Sequence, residues 1–157
     1  MRFFLPIREL PDESLRRLTD VDGRDHVAII ALSVPWQAPG GSVRGLGVAR
    51  FVRSQQDPAS AELAITVTDD AQGLGLGKLL LSTLALAARA RGIETFRMEV
   101  LASNGRVREM LRRLHPSCEG PRNGDVSGYS VRTSALAAEY VPAPPIWSTE
   151  NSCNSAR

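Results

Sequence analysis

Residues 72–78, Gln-Gly-Leu-Gly-Leu-Gly-Lys, place glycines at 73, 75 and 77 between a stretch that reads as a strand and one that reads as a helix. Glycine loses the most conformational freedom on folding, so this spacing points to a backbone that a ligand must approach closely. A strand-to-helix turn of this kind is an anion site, because the first helical amides and the positive end of the helix dipole point at the same place. The spacing narrows the ligand. The dinucleotide pattern GxGxxG fails: its third glycine would fall on Leu80 counting from Gly75, or on Lys78 counting from Gly73. The phosphate loop of nucleoside triphosphatases fails as well, since Leu79 stands where Ser or Thr must hold magnesium and Gln72 where the first glycine belongs.

Other reactive residues offer less. The chain has two cysteines, Cys118 and Cys153, without a CxxC spacing, and two histidines, His26 and His115, so neither a zinc site nor a disulfide framework is expected, and no metal. His115 and Cys118 flank Pro116 in an expected loop with no orienting third group, which argues against a nucleophile pair. Cysteine usage fits a reducing cytoplasm. Basic residues number 19 against 17 acidic and are spread along the chain, so no nucleic-acid footprint stands out. Arg106, Arg108, Arg112 and Arg113 form one local basic group, read as the solvated face of a helix. No run approaches the roughly 18 apolar residues of a membrane span, and the opening MRFFLPIREL is too short and too interrupted for a signal peptide.

The elements that must hold the glycine turn follow from periodicity. With 157 residues, 43% of them apolar, the chain fits one domain with one core. The stretch PDESLRRLTDVDG reads as a short amphipathic helix with Asp12 as N-cap. HVAIIAL (26–32) reads as a strand buried on both faces, and LGVARFVR (46–53) alternates as a strand. AELAITV (61–67) puts Leu63, Ile65 and Val67 on one face and Glu62, Ala64 and Thr66 on the other. A helix over about 75–91 follows the glycines, with Leu76, Leu80, Leu84 and Ala87 at helical spacing and Gly92 at its end. TFRMEVL (95–101) reads as a strand, NGRVREMLRRL (104–114) as a helix with Val107, Met110, Leu111 and Leu114 inward, and DVSGYSVRT (125–133) as a closing antiparallel strand. The expected fold is a mixed α/β sheet covered by helices, spanning residues 1–134, with 135–157 a proline-containing tail without regular structure.

The sequence Q-x-x-G-x-G at Gln72, Gly73, Leu74, Gly75, Leu76 and Gly77 resembles the motif of the GNAT superfamily of acyl-CoA-dependent N-acyltransferases. The resemblance runs from about 26 to 133. Through GVARFVR, AELAITVTDDAQGLGLGKLLL and EVLASN the chain is most similar to the bacterial Pat-type protein lysine acetyltransferases. It implies acetyl-CoA as co-substrate, with its pyrophosphate on the amides of Gly73, Leu74, Gly75, Leu76, Gly77 and Lys78. It further implies pantetheine pairing with the backbone of Ile65, Thr66 and Val67, a pantetheine contact from Asn104, and an amine acceptor such as a protein lysine. Glu62 is the implied general base. A lysine amine, with an ordinary pKa near 10.4, must lose its proton before attack, and a base on this strand is expected to be partly buried, which raises a carboxyl pKa.

Two departures from the family pattern bear on activity. Many members carry a Tyr seven residues after the helix-opening Asn, where this chain has Leu111. The start of the chain resembles the middle of the family's first helical region, so its first strand is expected to be absent, with FFLPI improvising an edge strand or HVAIIAL left open to pair with a second copy. Three readings therefore stand: a protein lysine acetyltransferase, an acetyltransferase of small amines, and a non-catalytic acyl-CoA-binding module. Acceptor selection is expected in the loops 33–45 and 115–125.

Overall fold

Two strands with strict alternation set the faces of the sheet. In GVARFV, Ala49 and Phe51 have no exposed surface while Val52 is exposed, and in AELAITV, Ala61 and Leu63 are buried while Glu62 and Thr66 are exposed. One face is therefore the core face and the other is left toward solvent. A computed structural model describes residues 12–33, 43–114 and 119–138. In chain order these form α1 (Asp12–Thr19), β1 (His26–Ser33), β2 (Arg44–Arg53), β3 (Ser60–Val67), a short 3-10 turn (Asp69–Ala71), α2 (Leu76–Arg89), β4 (Thr95–Leu101), α3 (Gly105–Leu114), β5 (Glu119–Asn123), β6 (Val126–Arg132) and α4 (Thr133–Ala137).

The described strands make one six-stranded sheet in the order β1-β2-β3-β4-β6-β5. Only β3 and β4 run parallel, as the crossover through α2 requires; the other pairs are antiparallel. The mixed sheet is the expected class. Leu80, Leu81, Leu84, Ala85 and Ala88 of α2 are buried against the core face, where the Phe51 and Phe96 rings meet at a tilt of 37° with 5.9 Å between centroids. The buried stripe passes through Ala88 rather than the expected Ala87. Each Leu so buried contributes roughly 1.5–3 kcal/mol.

Gly47 shows how closely α2 seats. A Cβ there would lie 2.9 Å from the Thr66 carbonyl oxygen and 3.1 Å from Leu80 Cδ1. The first of these neighbours is backbone and cannot swing away. Gly47→Ala is expected to destabilise the fold by about 1–3 kcal/mol, read as a lower midpoint of thermal unfolding; an unchanged midpoint would contradict this packing.

Several expectations need correction. β1 is not buried on both faces: it lies at the end of the described sheet, only Val27 is buried, and Ile30 and Leu32 are 62% and 54% exposed. β1 is apolar like a central strand, but no described element covers its second face. The 115–125 stretch, expected as a loop, contains β5, which forms a hairpin with β6 through the left-handed Gly124. α4, unrecognised in the sequence, spans the boundary placed at 134 and buries Leu136 and Ala137 beside α2. It is anchored by buried Thr133, whose hydroxyl donates to the Ile93 and Glu94 carbonyls at 3.0 and 3.1 Å. Arg108 is not merely solvated: its guanidinium donates to the Tyr129 hydroxyl and the Ala102 carbonyl, both at 3.2 Å. The segment FFLPI and residues 139–157 lie outside the described residues, as do 34–42 and 115–118 of the loops expected to select the acceptor.

Candidate cofactor and acceptor site

The feature that organises the site is how briefly β3 and β4 pair. They are in register only at Ser60 with Thr95, Ala61 with Phe96 and Glu62 with Arg97. Beyond that point β3 stays paired to β2 as far as Val67, and β4 stays paired to β6 as far as Leu101. The two strands therefore part into a fork with Glu62 and Arg97 at its closed end. Along Leu63–Val67 the backbone groups directed toward β4 have no strand partner among the described residues, which leaves a free edge inside the sheet. An extended ligand carrying amides can pair there as a short added strand.

The glycine turn stands at the open end of this fork. From Val67 the chain passes through Thr68 and the 3-10 turn to Gly73 and Gly75, which adopt φ of +81° and +82°, values that residues with a side chain seldom take. Gly75 caps α2, and the first helical hydrogen bond runs from the Leu79 amide to the Gly75 carbonyl at 3.1 Å. The amides of Leu76 and Gly77 precede that bond and point out of the helix end, an anion-binding geometry. Nothing lies within 4 Å of a Cβ built at Gly73, Gly75 or Gly77, so the space in front of the turn is open. Leu74 is 79% exposed and Lys78 is exposed.

Gln72 serves the turn itself: its Nε2 donates to Asp69 Oδ1 at 2.9 Å and more loosely to the Val67 carbonyl at 3.4 Å. An ion pair between Arg44 and Asp70 ties the start of β2 to the same turn. Asn104, on the far arm of the fork, caps α3, its Oδ1 accepting from the Val107 amide at 3.2 Å. That bond fixes the side-chain rotamer and leaves the amide Nδ2 as a donor. Ile65 and Val67 turn their side chains to the core, while Thr66 shares the solvent face with Glu62. Thus Glu62, Ile65, Thr66, Val67, the 72–78 turn and Asn104 all border one fork.

One expectation about a side chain is not met. Glu62 is exposed, so the described residues supply none of the expected burial. Arg97, across from it, is turned to Asp57 at 3.1 Å; the Asp57 carboxyl is held below the ordinary range by the Ser60 hydroxyl and by the Ala59 amide and Arg97 beside it. Leu111 has no exposed surface and packs in the core, so the position where many family members carry tyrosine holds no acid. Arg50, a charge inside the apolar alternation of LGVARFV, is half-buried on the solvent face opposite Ala64. Among the described residues no group of three or more His, Cys, Asp or Glu could hold a metal ion.

With that geometry in place, comparison with known proteins gives the class. Residues 8–115 match the model of the acetyltransferase (GNAT) family, and the chain belongs to that family. The relatives include the acetyltransferase Pat of Mycolicibacterium smegmatis, 33% identical over 114 residues, which are 72% of this chain and 32% of the relative. An acetyltransferase of Pseudomonas aeruginosa is 30% identical over 135 residues, 86% of this chain and 69% of that protein. Among solved structures, the GNAT domain of S. lividans PAT superposes with a TM-score of 0.64 at 26% identity, covering 83% of this chain and 74% of that one. A cAMP-binding acyltransferase from Mycobacterium smegmatis superposes with a TM-score of 0.62 at 29% identity, covering 88% of this chain and 40% of that one. The chain thus spans about a third of the length of the mycobacterial relative.

Proposed function

We propose that this chain is an acetyl-CoA-dependent N-acetyltransferase whose acceptor is an amine, a protein lysine being the reading we favour. The observation that carries the proposal is the three-residue pairing of β3 with β4, which leaves a free backbone edge between the glycine turn and a carboxylate. The pyrophosphate of acetyl-CoA sits on the 73–78 amides, and the pantetheine arm lies along the edge at Ile65, Thr66 and Val67. Asn104 donates to it from the other arm, and Gln72 holds the turn in shape. The thioester then reaches the closed end of the fork, beside Glu62. Glu62 takes a proton from the acceptor ammonium, and the freed nitrogen lone pair attacks the thioester carbonyl. Collapse of the tetrahedral adduct expels CoA as thiolate, and the second proton on the nitrogen passes to that thiolate or to solvent, leaving the neutral amide. A thiol pKa near 8.5 makes that departure feasible without an acid at position 111.

The family and the relatives' names support acetyl transfer, and the resemblance to Pat supports a lysine acceptor. The test is thiol release from acetyl-CoA against a panel of lysine peptides and small amines. Release with peptides only supports the lysine reading, and release with small amines only replaces it. CoA binding without release from any amine would leave a non-catalytic acyl-CoA-binding module, which Leu111 favours and the retained Glu62 opposes.

Among the described residues no helix is long and apolar enough to cross a membrane. We place the chain in the cytoplasm, acting without nucleic acid or metal. We further propose self-association through β1: its outer edge pairs with no described strand and it exposes Ile30 and Leu32. Light scattering at high concentration is expected to give a dimer mass, and a strictly monomeric mass would rule the contact out.

A further inference from the structure

On the solvent face of the sheet, Arg50 stands between two alanines, Ala28 of β1 and Ala64 of β3, whose short side chains leave room around it. Glu62 is its diagonal neighbour on β3, since Val52 rather than Arg50 faces Glu62 directly. Such diagonal positions lie about 7–8 Å apart between backbones. The other polar groups around Arg50 are Thr66 on β3 and His26 on β1, and His26 directs its Nδ1 to the Asp20 carbonyl at 2.7 Å. Among the described residues the Arg50 side chain has no hydrogen-bond or ion-pair partner, and partial burial pulls its pKa down. The neighbouring arginines Arg44, Arg53 and Arg97, in contrast, each pair with an aspartate. A half-buried guanidinium without an anion is poorly compensated, and a carboxylate arriving from outside corrects this with charge-assisted hydrogen bonds.

Resting on the reading of Glu62 as the base, we propose that Arg50 is a specificity residue that binds a carboxylate of the acceptor, so that amines with an acidic group a short distance away are preferred. The amine sits at Glu62 and the carboxylate at Arg50, on adjacent strands of the same face. The charge order of the acceptor, cation then anion, mirrors the order of the two side chains, which favours one orientation and disfavours acceptors with a second cation there.

The carboxylate can come from an amino acid's own terminus or from an acidic side chain, and two matched pairs separate these sources. One is Nα-acetyl-lysine against Nα-acetyl-lysinamide. The other is a lysine peptide with Glu next to the lysine against the same peptide with Gln. In the wild type, kcat/KM is expected to favour the carboxylate member of at least one pair roughly ten- to hundredfold at low salt. In Arg50→Gln that ratio falls to about one, and Arg50→Lys retains part of it. Glu62→Gln slows both members by the same factor and keeps the ratio. Equal use of both members of both pairs by the wild type, or a ratio unchanged in Arg50→Gln, overturns the proposal. If no amine is acetylated, the catalytic reading has failed. Calorimetric affinities of the same pairs for the CoA-saturated protein then decide this one: a carboxylate preference lost in Arg50→Gln sustains it, and no preference overturns it.

Discussion

Glu62→Gln is expected to slow acetyl transfer by roughly 10² to 10⁴-fold at neutral pH while CoA affinity stays unchanged. Glutamine keeps the size and the hydrogen-bonding reach of the side chain but cannot accept a proton from an ammonium. Because Glu62 is an exposed residue at the closed end of the fork, the change removes no core packing and the fold is expected to persist. Desolvation of the carboxylate, absent from the described chain, falls to the bound acceptor, so the loss should appear in kcat more than in KM. The measurement is steady-state thiol release together with calorimetric titration of CoA. Near-full activity of the variant would remove Glu62 from the mechanism and leave deprotonation to a water chain or to bulk solvent.

The second large effect is expected at Gly75. Gly75→Val is expected to abolish CoA binding, measured by calorimetry on the folded variant. From the sequence this would be a matter of steric closure, but the structure supplies a different cause. A Cβ at Gly75 meets no protein atom within 4 Å, so no packing is violated. The cost lies in the backbone: φ is +82° at the residue that caps α2, and a β-branched residue there is strained by roughly 1–3 kcal/mol. The turn relaxes to another conformation, the amides of Leu76 and Gly77 lose their common aim, and the valine side chain enters the open space in front of the helix end. Unchanged CoA affinity in a folded variant would place the pyrophosphate elsewhere. Gly77→Ala sits in a helical conformation with open space around it and is expected to perturb binding far less.

Local chemistry made much of this chain legible without coordinates. The alternation in GVARFVR and AELAITV depends on a side-chain period of two, a property of any strand, and it assigned Phe51 and Leu63 to the core and Glu62 to the other face. The α2 helix was readable from leucine spacing, and the 72–78 turn from glycines whose left-handed backbone only the folded chain displays but whose residue type already announces it. What the sequence could not show is anything that depends on which strands meet. The apolar run HVAIIAL looks central, yet β1 lies at the end of the described sheet, because hydrophobicity states that a strand wants cover and not that cover exists. Thr133 gives no helical signal in isolation; α4 is anchored at its start by carbonyls some forty residues away that accept its hydroxyl. The fork itself is a tertiary event. Ser60–Glu62 pair with Thr95–Arg97 and the following residues do not, since β2 and β6 draw the two strands apart. Arg50 comes beside Glu62 by the β2–β3 register alone, and a register is a sum over a whole ladder of pairs that no single stretch of sequence contains.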